Sequence, residues 1–164
     1  MYKNSFWKTN RLAFLQEVGA RAEDIPVTMY ANAMAKNICV IPESGYFYRQ
    51  HDESAMHKSG GYFRFPYRAF ETMYSRILTN GCMNSLDFFL LGTIKLFAHF
   101  EFVIYRNAPK EERVVFKRFV SDLLTKNTMI YQIWKEKRLS LRFPLLHKIL
   151  MQILLVRYKG CIKW

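Results

Sequence analysis

Leu86 to Tyr105 reads LDFFLLGTIKLFAHFEFVIY. A run this long and this apolar has to leave water, and at about 20 residues it has the length of a bilayer-spanning helix. Whatever the chain folds into must therefore either enclose this segment or place it in lipid. Asp87, Lys95, His99 and Glu101 interrupt it. A charge at the middle of a span costs roughly 2.5–3.5 kcal/mol on insertion scales, so the expectation is a buried amphipathic helix, capped by Asn84 or Ser85. The chain has 164 residues, half of them apolar, with 14 Phe, 10 Tyr and 3 Trp. That is enough to build a core around such a helix, and it excludes a disordered chain.

The neighbours of this run are also helical in pattern. Between Pro66 and Leu78, Phe70, Met73, Tyr74 and Ile77 recur on one face, and Asn80-Gly81 ends the pattern. Asn107-Ala-Pro109-Lys-Glu-Glu opens a further helix, with acids in its first turn, running to about Thr125. Thr128–Lys137 reads as a short helix. RFPLLHKILMQILLVRYKG closes the chain between Pro144 and Gly160.

Upstream the pattern is mixed. In NRLAFLQEV, Leu12, Phe14, Leu15 and Val18 have helical spacing, with Asn10 as N-cap and Gly19 as stop. In AEDIPVTMYANAMAKN, Ile25, Met29, Ala33 and Met34 form a stripe; Pro26 suits the first turn, which puts Glu23 and Asp24 at the helix start. ICVI (38–41) is apolar and β-branched, PES makes a turn, and GYFYRQ (45–50) alternates aromatic and polar residues. These two runs predict short strands, the first more buried than the second. The loop 51–61 ends in SGG. The expected fold class is thus α+β and predominantly helical: a small β element of two short strands with N-terminal helices, followed by a C-terminal helical bundle. The expected domains are 1–62 and 63–164.

Charge is unevenly spread. The net charge is +12; residues 1–105 hold 11 basic and 9 acidic side chains, whereas 106–164 hold 14 and 4. Such asymmetry calls for an anionic neighbour of the C-terminal part: lipid headgroups, nucleic acid or another polyanion. Cys39, Cys82 and Cys161 are odd in number and lack CxxC spacing, which predicts reduced, buried thiols in a cytosolic protein. The basic start is followed by no apolar core of a secretory signal.

Two groups of residues have chemistry to offer. Glu23-Asp24 are either capping acids or a general base positioned by the helix frame with a supporting neighbour. Arg49, His51 and His57 are either a solvated strand edge or a loop that closes over a phosphate and a metal, because Arg binds phosphate bidentately and neutral His ligates metals.

Taken in order, NRLAFLQEVG followed by AEDIPVTMYANAMAKNICVIPESGYFYRQHDESAMHK resembles the second half of the catalytic domain of bacterial family-2 glycosyltransferases of the GT-A fold, which build capsule, O-antigen and other surface polysaccharides. The Glu-Asp pair and the YFYRQHDES run at their mutual separation carry the likeness, over about residues 5–60. The resemblance implies that Asp24 deprotonates the acceptor hydroxyl in an inverting transfer, with Glu23 beside it. It implies that Arg49 and Ser54 lie near the donor diphosphate and that His51 lies at a divalent metal, Mg or Mn. Its partners are a nucleotide-sugar donor and a glycan or lipid-linked acceptor. The segment between Gly19 and Glu23 is shorter than in the family, and the donor-binding half with its Asp-x-Asp motif has no counterpart here. The chain is therefore expected to be the C-terminal part of such an enzyme, inactive without a missing N-terminal half.

Leu145, Leu146, Ile149, Leu150, Ile153 and Leu154, beside Lys148, Arg157, Lys159, Lys163 and Trp164, suit either an in-plane helix at a membrane surface or a core helix with solvated ends. The expected location is cytoplasmic, with peripheral contact at the inner face of the cytoplasmic membrane. A non-catalytic basic helical interaction or membrane-surface protein is the alternative function. A nucleic-acid module is disfavoured, because the basic residues are scattered over several helices without a binding motif.

Overall fold

The computed structural model describes residues 2–15, 22–39, 63–81, 83–126, 153 and 156–158. Of these, 74% are helical and none forms a strand or sheet; Arg64 is an isolated bridge position. The chain divides into two compact units, 1–81 and 82–164.

The expected β element is corrected. Ile38 and Cys39, the first half of the ICVI run, lie in irregular coil outside any strand, and Ile38 is 60% exposed. A strand exists only through a laddered partner, and a short β-branched run satisfies the composition of a strand without supplying that partner. Cys39 is likewise an exposed free thiol rather than a buried one. The remainder of both runs, 40–50, lies outside the described residues, as do Cys82 and Cys161.

In the first unit, α1 spans Asn4–Thr9. Asn10 ends this helix instead of starting another: its backbone N–H and its side-chain Nδ2 both donate to the Phe6 carbonyl, at 3.1 and 2.9 Å. Arg11 follows with φ +48. Its N–H donates to the Lys8 carbonyl, and the Leu12 N–H reaches back to the Trp7 carbonyl. That pair of bonds is the Schellman closure, in which a left-handed residue folds the chain over the last turn. The expected helix from Asn10 to Val18 is therefore not present over its described part, residues 10–15.

Helix α2 spans Asp24–Met34 and buries Pro26, Val27, Tyr30 and Ala31. The expected stripe, Ile25, Met29, Ala33 and Met34, is only half-buried; the buried face lies one or two positions along from Ile25 and Met29. Helix α3, Tyr67–Asn80, buries Ala69, Phe70, Met73, Tyr74 and Ile77, the face its spacing predicts. α2 packs on α3. Phe65 joins this core, 5.7 Å centroid to centroid from Phe70, which stacks on Tyr74 at 6.1 Å. Two long-range bonds fasten the N-terminus: Tyr2 Oη donates to Asn32 Oδ1 at 3.3 Å, and Arg76 Nη1 donates to the Arg11 carbonyl at 2.6 Å.

In the second unit, α4 runs from Met83 to Phe102. Leu86, Phe89, Leu90, Thr93, Leu96, Phe97 and Phe100 are buried along it. The buried Thr93 hydroxyl is satisfied by donating to the Leu90 carbonyl. With the turn behind it, 84–106 is long and apolar enough to cross a bilayer by length and composition, but 53% of its most apolar stretch is buried within the protein. One 3₁₀ turn, Ile104–Arg106, leads to α5, Lys110–Lys126. Helix α5 buries Phe116, Val120 and Leu124 at i, i+4, i+8 spacing. Phe116 meets Phe97, Phe100 and Tyr105 at 6.0, 5.9 and 5.2 Å, two of the contacts edge-on. This aromatic cluster locks α5 onto the end of α4.

Candidate functional site

Two places in the described structure carry functional chemistry, one in each unit. The first is the start of α2. Ala22, at φ +60, turns the chain into the helix, and the Ile25 N–H donates to its carbonyl at 3.1 Å. Glu23 occupies the cap position without making a side-chain cap bond, and Asp24 opens the first turn, exposed to solvent. Among the described residues neither carboxylate has a hydrogen-bond or ion-pair partner. Two residues on, buried Pro26 and Val27 anchor the helix to the core. The acids therefore stand at the edge of a fixed frame. The other predicted site residues, Arg49, His51 and Ser54, lie outside the described residues, as does His57. Among the described residues no three potential metal ligands converge, so the metal implied by the sequence resemblance has no ligand set there.

The second place is a cleft of about 490 Å³ in the second unit, where α4 ends, the 3₁₀ turn follows and α5 begins. Lys110, Arg113 and Lys117 come to it from one face of α5, at i, i+3, i+7 spacing, along the flank of the buried Phe116 stripe. Arg106 arrives from the turn and Arg157 from the C-terminal segment, whose described residues 153, 156 and 157 are helical. Phe102, Tyr105 and Val114 supply apolar wall. One acid, Glu101, lines it. Its side chain is only 6% exposed; Arg157 Nη2 lies 2.8 Å from Oε1, and the buried Tyr158 hydroxyl donates to Oε2 at 3.3 Å. The carboxylate is thus committed to Arg157 and Tyr158. Among the described residues the other four cations have no ion-pair partner. Glu111 and Glu112, next to Lys110 in sequence, do not line the cleft.

Sequence reading singled out the basic C-terminal region but not this convergence. The signal that was available is the Lys110, Arg113, Lys117 spacing alongside the buried Phe116, Val120, Leu124 stripe of the same helix. Arg106 and Arg157 join it only through the fold.

No family model matches the chain, and no match was found among curated proteins or among solved structures.

Proposed function

We propose that this chain is the acceptor-side portion of a glycosyltransferase that moves a sugar from a nucleotide-sugar donor to a polysaccharide or lipid-linked acceptor. Asp24 acts as the base on the acceptor hydroxyl and Glu23 supports it. The observation that carries the reading is the state of the pair. Two adjacent carboxylates sit at the solvent edge of an anchored helix, and neither is taken up by capping or ion pairing among the described residues. A general base needs that combination of a fixed backbone and an accessible oxygen, and it is worth about 10²–10⁴ in rate. In this reading Arg49 and Ser54 serve the donor diphosphate, and His51 serves a divalent metal, Mg or Mn. In this reading the protein works in the cytoplasm, with peripheral contact at the inner face of the cytoplasmic membrane.

The test is nucleotide-sugar turnover by this chain co-expressed with a donor-binding domain encoded beside it. Asp24→Asn should lower kcat by about 10²–10⁴ with little change in acceptor KM. Turnover unaffected by that substitution removes the reading.

A second reading, a non-catalytic protein of a membrane surface or other anionic partner, is favoured by the basic cleft and by exposed Val103, Val114 and Val156 in the same unit. Vesicle binding in the absence of any sugar transfer would select it.

A further inference from the structure

We infer that the cleft between the end of α4, the start of α5 and Arg157 is a binding site for a phosphate group carried on a partly apolar ligand. This goes beyond the transferase reading and does not rest on it: the cleft belongs wholly to the second unit, and Glu23 and Asp24 to the first.

Charge makes the first argument. Like charges gathered on one wall repel, and a protein gains no stability by gathering them unless something anionic is bound there. Arg106, Lys110, Arg113 and Lys117 share the cleft without an acid of their own among the described residues. The single lining acid does not cancel them; it is spent on Arg157, and by holding that guanidinium at 2.8 Å it fixes a cation at the site. A monovalent anion would leave most of this charge unmatched, whereas a phosphate monoester or a diphosphate matches it more closely. Arginine presents a planar fork that meets two phosphate oxygens at once, and lysine adds mobile point charges. Both types are present.

Shape and polarity make the second. About 490 Å³ is within the size of small-ligand sites. Phe102, Tyr105 and Val114 give the cleft an apolar side next to its cationic one. Val114 is 55% exposed, and its neighbour Val115 is 47% exposed. A bare inorganic ion would leave these surfaces wet. A phosphate attached to an acyl, prenyl or planar group would cover them.

The same phosphate chemistry occurs on a soluble diphosphate and on a lipid headgroup, and the experiment separates the two. Geranyl diphosphate, a soluble diphosphate with an apolar group, is titrated calorimetrically into the full chain. In parallel, sedimentation is measured with phosphatidylglycerol vesicles and with phosphatidylcholine vesicles. Binding of geranyl diphosphate alone identifies a soluble ligand; binding of phosphatidylglycerol but not phosphatidylcholine vesicles identifies a headgroup. In either case Arg113→Gln with Lys117→Gln should weaken binding by roughly tenfold or more, at about a few-fold per cation removed. Both side chains are exposed, so the fold should survive the change. Lys126→Gln, on the same helix but outside the cleft, should leave binding unaltered. No binding of either probe, an equal loss in Lys126→Gln, or binding confined to single-stranded RNA would each overturn the assignment.

Discussion

Arg157 and Glu101, far apart in the chain, meet at 2.8 Å, with the arginine side chain 41% exposed and the carboxylate 6% exposed. The asymmetry in exposure decides what each partner is worth. Arg157→Met leaves Glu101 buried with the Tyr158 hydroxyl alone, and we expect a loss of about 2–3 kcal/mol, below the range for fully buried pairs because the arginine is wet. Glu101→Gln keeps a hydrogen-bonding amide and releases a half-solvated cation, for about 1 kcal/mol. The double variant should cost less than the two losses added. Urea midpoints in a double-mutant cycle measure this; strict additivity would mean that the pair does not hold the C-terminal segment.

Burial pushes the Tyr74 phenol up from 10.0 to about 12. Since the folded value lies above the unfolded one, the neutral phenol contributes stability that is whole below pH 10 and drains away as pH climbs towards 12. Tyr74→Phe cannot ionise there. The gap in melting temperature between wild type and Tyr74→Phe should therefore shift in favour of the variant as pH rises from 10.0 to about 12, a window set by that displacement. A gap that stays constant with pH would show that the phenol is not desolvated.

Gly81 ends α3, with its N–H donating to the Ile77 carbonyl at 2.9 Å. A Cβ placed there would stand 2.5 Å from that carbonyl oxygen and 3.0 Å from two Ile77 side-chain carbons. Ile77 is itself buried, so neither neighbour yields cheaply. Gly81→Ala should cost about 1–2 kcal/mol through overpacking and the loosened cap. Asn80→Ala, one residue earlier and exposed, should fall within about 0.5 kcal/mol of wild type. Chemical denaturation of the two variants side by side checks the difference.

At Arg11 the backbone is left-handed, φ +48, a conformation that costs an L-residue about 1 kcal/mol and glycine almost nothing. The bond from Arg76 is to the Arg11 carbonyl, which any residue supplies. Arg11→Gly should stabilise the first unit by up to about 1 kcal/mol, less the entropy glycine adds to the unfolded chain. A fall in melting temperature would indicate that the exposed guanidinium has a contact role.

Helices α3 and α5 were legible because each repeats its apolar residues at helical spacing and then meets an unambiguous stop or start, Asn80-Gly81 in one case and Pro109 with two acids in the other. Helix α1 was not. Asn10 suits either end of a helix, and the apolar residues beyond it, Leu12, Phe14 and Leu15, match a helical period without being helical. What decides the direction is the left-handed Arg11, a residue whose type gives no hint of that conformation. The strand expected at Ile38-Cys39 failed for a related reason: composition describes a residue's tolerance for extended backbone, whereas a sheet requires a second strand. Of the candidate sites, the acids of α2 were visible as a dipeptide at a helix start. The cleft was invisible as a unit, since Arg157 reaches it only when the C-terminal segment docks on Glu101.

The bond from Arg76 to the Arg11 carbonyl bridges 65 positions. The turn that finishes the first helix is thus clamped by a side chain that leaves the ribosome long after that helix has emerged. During synthesis α1 and its turn are held by their own Schellman bonds, by the Tyr2, Phe6 and Trp7 ring contacts and, once α2 is made, by the Tyr2–Asn32 bond, until α3 adds the Arg76 clamp. The turn after α1 is therefore secured well after it is made, and a nascent chain halted before residue 76 should show this segment open to proteases that the finished protein resists.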